Sequence, residues 1–390
     1  MTKKNKLLVI ADSFPPYLDA SAVLISNILL KYTGDMEVIA GNSFTRVDQT
    51  FIAPCKTTYI NLPKGRIVES VLQRIHYLLL PYYFLRILFI AGKVKPSIIF
   101  GNYPNEVMFV AAYLVAIRMK LPFYSYMHDL WEENMKYSGR KKFALKWEKI
   151  ILTQSKRLIC CTSFQQVYYK NKYGVDSDLL LHPVLDEKIS NFKGYVNRTQ
   201  RAEKKIAFVG SLSSAMNEDA LITISKAIAS LPDDYQFYWY PINDLPLDYL
   251  LKQGFDISRI HIKVLSTQEM LEAISKADIV IAPLSFKNCS EQEVKTVFSN
   301  KLLVYLTSGT PILVFSPKES LHTVLASKDK WAMVIDEDST ESLAKAIEQL
   351  CFDEEQQKYF VNKGIEEAKK RSASSQAKFL FEWVCNDSKI

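Results

Sequence analysis

Short, uniformly apolar runs alternate along the chain with longer segments whose apolar residues recur every three or four positions. The runs in the first half are Leu7–Ala11, Met36–Ala40, Ser97–Gly101, Phe123–Met127 and Leu158–Cys161. A run without polar alternation is typical of a strand buried on both faces of a parallel sheet, and the longer spacing predicts amphipathic helices between strands. The pattern therefore predicts repeated βαβ units in the first half.

A polar stretch, Glu187–Lys205, interrupts this alternation, which restarts after it. The later apolar runs are Ile206–Val209, Tyr235–Tyr240, Ile260–Val264, Ile279–Ala282 and Ile312–Phe315. Two successive alternating halves predict an α/β fold of two Rossmann-like domains facing a cleft. We place the domains at residues 1–190 and 205–370, joined by a linker at 191–204, with a C-terminal helix at 371–390 that crosses back to the first domain.

The composition is that of a folded protein of about two domains. Of the 390 residues, 48% are hydrophobic and 23% charged, which excludes a disordered chain. The six cysteines show no metal-ligand spacing, and the adjacent Cys160 and Cys161 suit buried thiols in a reducing compartment. Lys3, Lys4 and Lys6 lead into an apolar run too short for a signal peptide. We therefore expect a cytoplasmic protein.

Positive charge is concentrated in the first half. Residues 1–190 hold 25 Lys and Arg against 15 Asp and Glu, a net charge of +10. Residues 191–390 hold 24 Lys and Arg against 27 Asp and Glu, a net charge of −3. Segments 66–95 and 136–157 combine cations with apolar and aromatic residues. Pro81 and Arg86 interrupt the first of them short of the ~20 apolar residues of a membrane span, and predict two helices joined near Pro81. Both segments fit helices packed on a sheet, or surfaces that contact an anionic membrane on the inner face of the plasma membrane.

Residues that follow the predicted strands are candidate site residues, because ligands of doubly wound sheets bind beyond the carboxyl ends of the strands. There is no GxGxxG after the first strand, no Walker A motif and no HExxH, which argues against a dinucleotide dehydrogenase and a P-loop enzyme. His128-Asp129 can exchange hydrogen bonds or a proton with a substrate hydroxyl, although a backbone-bonded histidine and a capping aspartate would look the same. Gly210-Ser211 permits close backbone approach to a ligand.

The stretch Val294–Pro317 has the pattern of an anion site. It predicts a short helix, Lys301–Thr307, capped by Ser299 or Asn300 and ended by a left-handed Gly309. A lysine in the first turn of a helix, where the N–H groups are unpaired, suits a nucleotide diphosphate. An ordinary αβ unit with one surface lysine would have the same sequence.

Taken together, these motifs resemble GT-B glycosyltransferases, and most closely glycosyltransferase family four of bacterial surface-polysaccharide assembly. His128-Asp129-Leu130-Trp131-Glu132 is similar to that family's Asp-Leu-Trp-Pro-Glu signature. Lys301, Tyr305 and Gly309-Thr310-Pro311 are similar to its Lys-x-x-Glu-Tyr-x-x-x-Gly-x-Pro. The resemblance also includes Asp12–Pro16, Leu181–Val184 and Phe208–Leu212, and it covers nearly the whole chain.

The resemblance implies a nucleotide-sugar donor on the second domain, a lipid-linked or polysaccharide acceptor on the first, and transfer with retention, without a metal or cofactor and without a nucleic-acid partner. His128, Asp129 and Lys301 are the implied catalytic residues. The implied donor-binding residues are Gly210, Ser211, Ser213, Ser266, Thr267, Pro283, Phe298, Ser299 and Asn300. The acceptor-binding candidates are Ser13, Pro16 and Tyr103.

The sequence departs from the family at its Glu-x7-Glu pair, which falls on Thr296 and Val304. Val304 cannot accept the hydrogen bond that the second glutamate makes to the donor ribose. Glu291 and Glu293 lie in the same loop and are candidate substitutes. These departures leave two alternatives to a transferase: a non-catalytic GT-B binding or partner subunit, and a nucleotide-sugar epimerase.

Overall fold

The computed structural model describes residues 5–17, 20–41, 51–60, 76–135 and 138–387. The chain divides into two compact units. The first comprises Met1–Pro183 with Ala373–Ile390, and the second comprises Val184–Ser372. Each unit is built on one parallel sheet with helices between successive strands, so the prediction of a two-domain α/β fold is confirmed.

The sheet of the first unit has the strand order β3-β2-β1-β4-β5-β6-β7, and every neighbouring pair is parallel. Its strands are β1 (Lys6–Ala11), β2 (Asp35–Gly41), β3 (Lys56–Ile60), β4 (Ile98–Tyr103), β5 (Phe123–Met127), β6 (Arg157–Cys160) and β7 (Asp178–Leu179). Its helices are α1 (Ala20–Leu29), α2 (Leu80–Val94) after a 3-10 turn at His76–Leu79, α3 (Glu106–Met119), α4 (Ser138–Gln154), α5 (Ser163–Tyr173) and α15 (Ala373–Asp387). The strand order reverses between β1 and β4, which is where ligands of such sheets bind.

Both faces of this sheet are buried, which explains why its strands lack polar alternation. One face packs Ile10, Ile99 and Trp131 against α2, α3 and α4. The other packs Val9 and Phe100 against α1 and α15.

The predicted return of the C-terminal helix is confirmed. Its residues Leu380 and Val384 lie in the core of the first unit. Its Asp387 accepts hydrogen bonds from the Tyr124 hydroxyl, at 2.7 Å, and from Arg157 Nε, at 2.7 Å. The last helix is therefore tied to the centre of the first sheet.

Pro81 begins a helix where we predicted a junction between two. It lies in the first turn of α2, where its missing N–H removes no intrahelical hydrogen bond. The upstream part of that prediction, residues 66–75, lies outside the described residues.

The sheet of the second unit has the order β10-β9-β8-β11-β12-β13, again with parallel neighbours. Its strands are β8 (Lys204–Val209), β9 (Tyr235–Tyr240), β10 (Ile260–Ile262), β11 (Ile279–Pro283), β12 (Ile312–Phe315) and β13 (Met333–Ile335). Its helices are α6 (Asp186–Ser190), α7 (Glu218–Ser230), α8 (Leu247–Lys252), α9 (Thr267–Ser275), α10 (Glu291–Thr296), α11 (Asn300–Tyr305), α12 (Leu321–Asp329), α13 (Thr340–Phe352) and α14 (Glu354–Lys370).

Residues 191–204, which we expected to be a linker, pack against the second unit. Arg198 is only 5% exposed and donates to the carbonyl oxygens of Gly309 and Ser275. The Tyr195 hydroxyl donates to Gln357 Oε1 at 2.6 Å. Arg198 and Tyr195 are therefore polar residues that hydrogen-bond to the second unit, whereas other residues of the segment are exposed.

Candidate functional site

Lys301 is a cation without a counter-ion in the described part of the chain. It lies in the first turn of α11, and its Nζ is 4.5 Å from the centre of the Phe208 ring. None of the described residues gives Nζ an ion pair or a hydrogen bond. Burial lowers the pKa of Lys301 to about 8. The ammonium group is therefore still charged at neutral pH but poorly solvated, which suits an incoming anion.

Gly210 keeps the space beside this ammonium open. It follows β8 with φ +140°, and a Cβ there would lie 3.3 Å from the Phe208 ring and 3.4 Å from Lys301 Nζ. Its carbonyl oxygen is fixed by the indole N–H of Trp239 at 2.8 Å. Only glycine allows a ligand and the backbone to approach each other closely at this position.

Ser211 and Ser213 lie in a loop held by the Asn217 side chain. Asn217 Nδ2 donates to the Ser211 carbonyl at 3.1 Å, and the Ser213 N–H donates to Asn217 Oδ1 at 2.9 Å. The structure therefore brings Gly210 next to Lys301 and fixes the loop that follows.

The helix bearing Lys301 is shorter than we predicted, Asn300–Tyr305 instead of Lys301–Thr307. Ser299 takes the capping position, but its side chain makes no capping bond, and its N–H donates to His322 Nε2 at 3.1 Å. Asn300 is the first residue of the helix and is half-buried. Gly309 is left-handed as predicted, with φ +73°. So short a helix has a weak dipole, and the positive charge of the site comes mainly from Lys301.

His322 is a buried neighbour of this site that the sequence did not reveal. Burial, together with the charge on Lys301, lowers its pKa to about 3, so it is neutral. Neutral His322 can accept from the Ser299 N–H without adding a second charge beside the lysine.

Two other predicted donor residues have structural roles. The Ser266 side chain accepts from the Glu269 N–H and donates to its carboxylate, which forms a capping box. Phe298 is buried under the guanidinium of Arg371, 4.0 Å from its ring centre. Thr267 is exposed at the start of α9, and Pro283 is buried at the end of β11.

The two carboxylates that we considered as substitutes for the missing pair already have partners. Glu293 accepts from the N–H and hydroxyl of Ser290 in a second capping box. Glu291 forms an ion pair with Lys295. The Thr296 hydroxyl, at the first glutamate position, donates to a carbonyl of its own helix. The structure thus provides no replacement for the ribose-binding glutamate at these residues.

His128 lies at the end of β5 and is 6% exposed. Its Nδ1 is 3.1 Å from Nε2 of His182, and burial lowers the pKa of His128 to about 3. It is therefore a neutral hydrogen-bonding group. Its Nε2 is buried and has no hydrogen-bond partner among the described residues. The sequence placed His182 in the Leu181–Val184 motif but did not pair it with His128, because 54 positions separate the two histidines.

The adjoining residues of the first unit only partly fit the predicted roles. Asp129 is half-buried beside His128. The Tyr103 side chain belongs to the core, where it packs 5.6 Å from Trp131, so its ring is not presented to an acceptor. Ser13 is fully buried, whereas Pro16 is half-exposed.

Helix α2 carries an exposed apolar face. Leu85 and Phe89 of this helix are 63% and 58% exposed, and Leu78 in the preceding 3-10 turn is 61% exposed. By length and composition Tyr77–Val94 could cross a membrane, although such a segment is also found in soluble proteins. Its opposite face, with Ile87, is buried in the core of the first unit.

Helix α4 packs into the same core cluster as α2 and uses two of its cations internally. Arg140 pairs with buried Glu106 at 2.7 Å, and Lys141 pairs with Glu132 at 2.9 Å. The exposed cations of this helix are Lys141, Lys142, Lys146 and Lys149, and the last three have no ion pair among the described residues.

Family models and solved structures agree with this architecture. A model of glycosyltransferase family 4 matches residues 48–180, and a model of the glycosyl transferases group 1 matches residues 203–353. A search of curated proteins found no match.

Three solved structures share the fold over 98% of this chain. Sucrose-phosphate synthase from Thermosynechococcus elongatus is 13% identical with a TM-score of 0.73, and 99% of it is covered. Anabaena HepE in complex with UDP and glucose is 12% identical with a TM-score of 0.69, and 100% of it is covered. UDP-GlcNAc 2-epimerase from Neisseria meningitidis is 12% identical with a TM-score of 0.60, and 100% of it is covered.

The two parallel α/β units and the structural neighbours define a GT-B protein. Because each of the two family models matches most of one unit, the chain is a glycosyltransferase similar to family four.

Proposed function

We propose that this glycosyltransferase takes a sugar from a nucleotide-sugar donor held by the second unit and transfers it to a lipid-linked or polysaccharide acceptor in surface glycan biosynthesis. The observation that carries the proposal is the unpaired Lys301 ammonium beside Gly210. A diphosphate leaving group would supply the missing counter-ion. Its negative charge grows as the glycosidic bond breaks, so Lys301 would stabilise the transition state more than the ground state.

The fold neighbours support a nucleotide as the leaving group. HepE is described in complexes with UDP and with UDP-glucose, and the Neisseria epimerase is bound to UDP-GlcNAc. A uridine diphosphate is therefore the first ligand to test. Because Val304 cannot accept a hydrogen bond, we expect the donor ribose to be held by other groups than in the family, and the diphosphate to provide more of the affinity.

We propose that transfer proceeds with retention and without a metal. Neutral His128 would donate to or accept from a hydroxyl of the transferred sugar, or donate to the departing phosphate. Lys301 would provide the positive charge that a divalent ion provides in other phosphate-leaving reactions.

We further propose that the enzyme works at the cytoplasmic surface of a membrane. The exposed face of α2 and the exposed lysines of α4 belong to helices that pack on the same face of the first sheet. Apolar side chains flanked by cations are typical of a helix that lies in the interface of an anionic bilayer. Because one side of α2 is buried in the domain, interfacial contact fits it better than a membrane span.

The donor site is tested by thermal shift and turnover. Purified protein is heated with UDP, GDP, ADP and dTDP, and specific binding raises the melting temperature by mass action. Lys301→Met should abolish this response and the release of nucleoside diphosphate. Lys318→Met is the matched control, because Lys318 is exposed in the same unit. If no diphosphate or sugar nucleotide stabilises the wild-type protein, the donor site is refuted.

Membrane contact is tested by flotation with anionic vesicles at low and high salt. The double variant Leu85→Ser with Phe89→Ser should reduce flotation. Reversing the charges of Lys142, Lys146 and Lys149 should also reduce flotation, and this second effect should appear at low salt. The test avoids Arg140 and Lys141, because reversing those charges would break buried ion pairs. Protein that stays at the bottom of the gradient at low salt contradicts the membrane proposal.

A further inference from the structure

His128 and His182 form a buried pair in the first unit. Their facing nitrogens, Nδ1 of His128 and Nε2 of His182, are 3.1 Å apart, and their ring centres are 5.2 Å apart. The two residues are 6% and 5% exposed. This distance is that of an N–H···N hydrogen bond, in which one nitrogen donates and the other accepts.

The pair links the tautomers of the two rings. There is room for only one proton between the two facing nitrogens, so the N–H between them belongs to one ring. If His182 Nε2 carries it, the proton of His128 must be on Nε2. If His128 Nδ1 carries it, His128 Nε2 is a bare acceptor. The partner ring therefore decides which kind of hydrogen bond His128 offers at its other nitrogen.

Nε2 is the ring nitrogen of His128 that the described residues leave without a hydrogen bond. The His128 carbonyl oxygen accepts from Gln165 Nε2 at 3.1 Å and from Cys161 Sγ at 3.2 Å. The imidazole packs on the Tyr126 ring, with centres 4.5 Å apart. Backbone and ring are thus fixed, whereas Nε2 is buried without a partner among the described residues. Such an atom is unfavourable unless a ligand completes its hydrogen bond.

We propose that His182 is a positioning residue that donates its Nε2–H to His128 Nδ1, so that His128 presents an Nε2–H to the ligand that completes its hydrogen bond. The inference rests on the proposed function. Hydroxyl and phosphate oxygens both accept hydrogen bonds from an N–H. A bare nitrogen can only accept, so it could bind only the hydroxyl, which donates. The N–H tautomer of His128 can therefore donate a hydrogen bond to either a hydroxyl or a phosphate oxygen.

The tautomers are measured directly in the wild-type protein by ¹⁵N–¹H correlation spectra of the imidazole nitrogens, assigned with His128→Gln and His182→Gln. We expect a protonated Nε2 and a bare Nδ1 on His128, and a protonated Nε2 on His182. A proton on Nδ1 of His128 would overturn the assignment. This measurement needs no turnover, so it stands apart from the proposed function.

The kinetic consequence is tested with His182→Leu and His182→Gln. The leucine variant cannot donate, and kcat should fall about tenfold, the equivalent of one neutral hydrogen bond, with KM changed less than about twofold. The glutamine amide can still donate, and should restore most of kcat. An equal fall of kcat in both variants, or an unchanged kcat in the leucine variant, overturns the positioning role. If the leucine variant does not fold, the spectra and the glutamine variant still decide.

Discussion

Replacing Lys301 by methionine should make the unliganded protein more stable while removing its response to a nucleotide. Methionine is similar in length and unbranched, so it fills the same space beside Phe208 without a charge. The stability should rise because the folded domain of the wild-type protein holds this ammonium in a poorly solvated position, with no counter-ion among the described residues. The perturbation therefore separates what the lysine does for binding from what it does for folding.

The magnitude follows from the lowered pKa. A lysine with its ordinary pKa in the unfolded chain and a pKa of about 8 in the folded domain destabilises the fold at neutral pH by about 3 kcal/mol. Lys301 is half-buried, and its contact with solvent reduces this destabilisation. We therefore expect Lys301→Met to raise the free energy of unfolding by ~1–2 kcal/mol. For a domain of this size that corresponds to a rise of roughly 4 °C in Tm.

The sign of the pH dependence provides a second check. Between pH 8 and the ordinary lysine pKa, the unfolded chain binds this proton and the folded domain has lost it. Stability therefore rises with pH across that window in the wild type, and this contribution is missing in Lys301→Met. Calorimetry of both proteins and of Lys318→Met, with and without UDP, measures both effects. A lower Tm in Lys301→Met, or a UDP-induced shift that survives, would refute the reasoning.

Three further results are expected from the same geometry. Donor affinity, measured by titration calorimetry, should weaken about tenfold from pH 7 to pH 9.5 as Lys301 loses its proton, and a flat profile contradicts this. Gly210→Ala should weaken UDP binding by about tenfold or more, because the new Cβ crowds Lys301 Nζ at a φ of +140°; unchanged affinity rules out backbone approach there. Asp387→Asn should lower the free energy of unfolding by about 2 kcal/mol, because it weakens the ionic link between the last helix and the first sheet; an unchanged denaturation midpoint would show that the link contributes nothing.

The sequence was most informative where a feature is local. Apolar runs predicted the buried parallel strands, and a glycine followed closely by a proline predicted the left-handed Gly309. Two capping boxes, at Ser266 and Ser290, were also readable from the Ser-x-x-Glu pattern, and reading them would have shown that Glu293 is committed to its helix cap. That error came from treating a carboxylate in a loop as available without asking what it already binds.

The sequence was least informative where the property depends on distant residues. His182 meets His128 only because β5 and the segment after β7 end near each other in the folded sheet. The polarity of residues 191–204 suggested solvent, but Arg198 is buried because carbonyl oxygens of the second unit accept its hydrogen bonds. Hydrophobic patterning does not separate a solvated polar residue from one that is buried and satisfied.

The departure at Val304 and the state of Lys301 are two aspects of the same feature. In the family pattern a glutamate follows this lysine by three positions, and side chains three apart on a helix are neighbours. A carboxylate at position 304 would lie within reach of the ammonium and partly neutralise it. With valine there, Lys301 has no such partner to offset the effect of burial, which lowers its pKa, and its charge would be available to the proposed diphosphate. The substitution thus removes a ribose contact, and it also increases the expected affinity of the site for an anion. The proposed donor site would therefore depend on the diphosphate more than on the ribose.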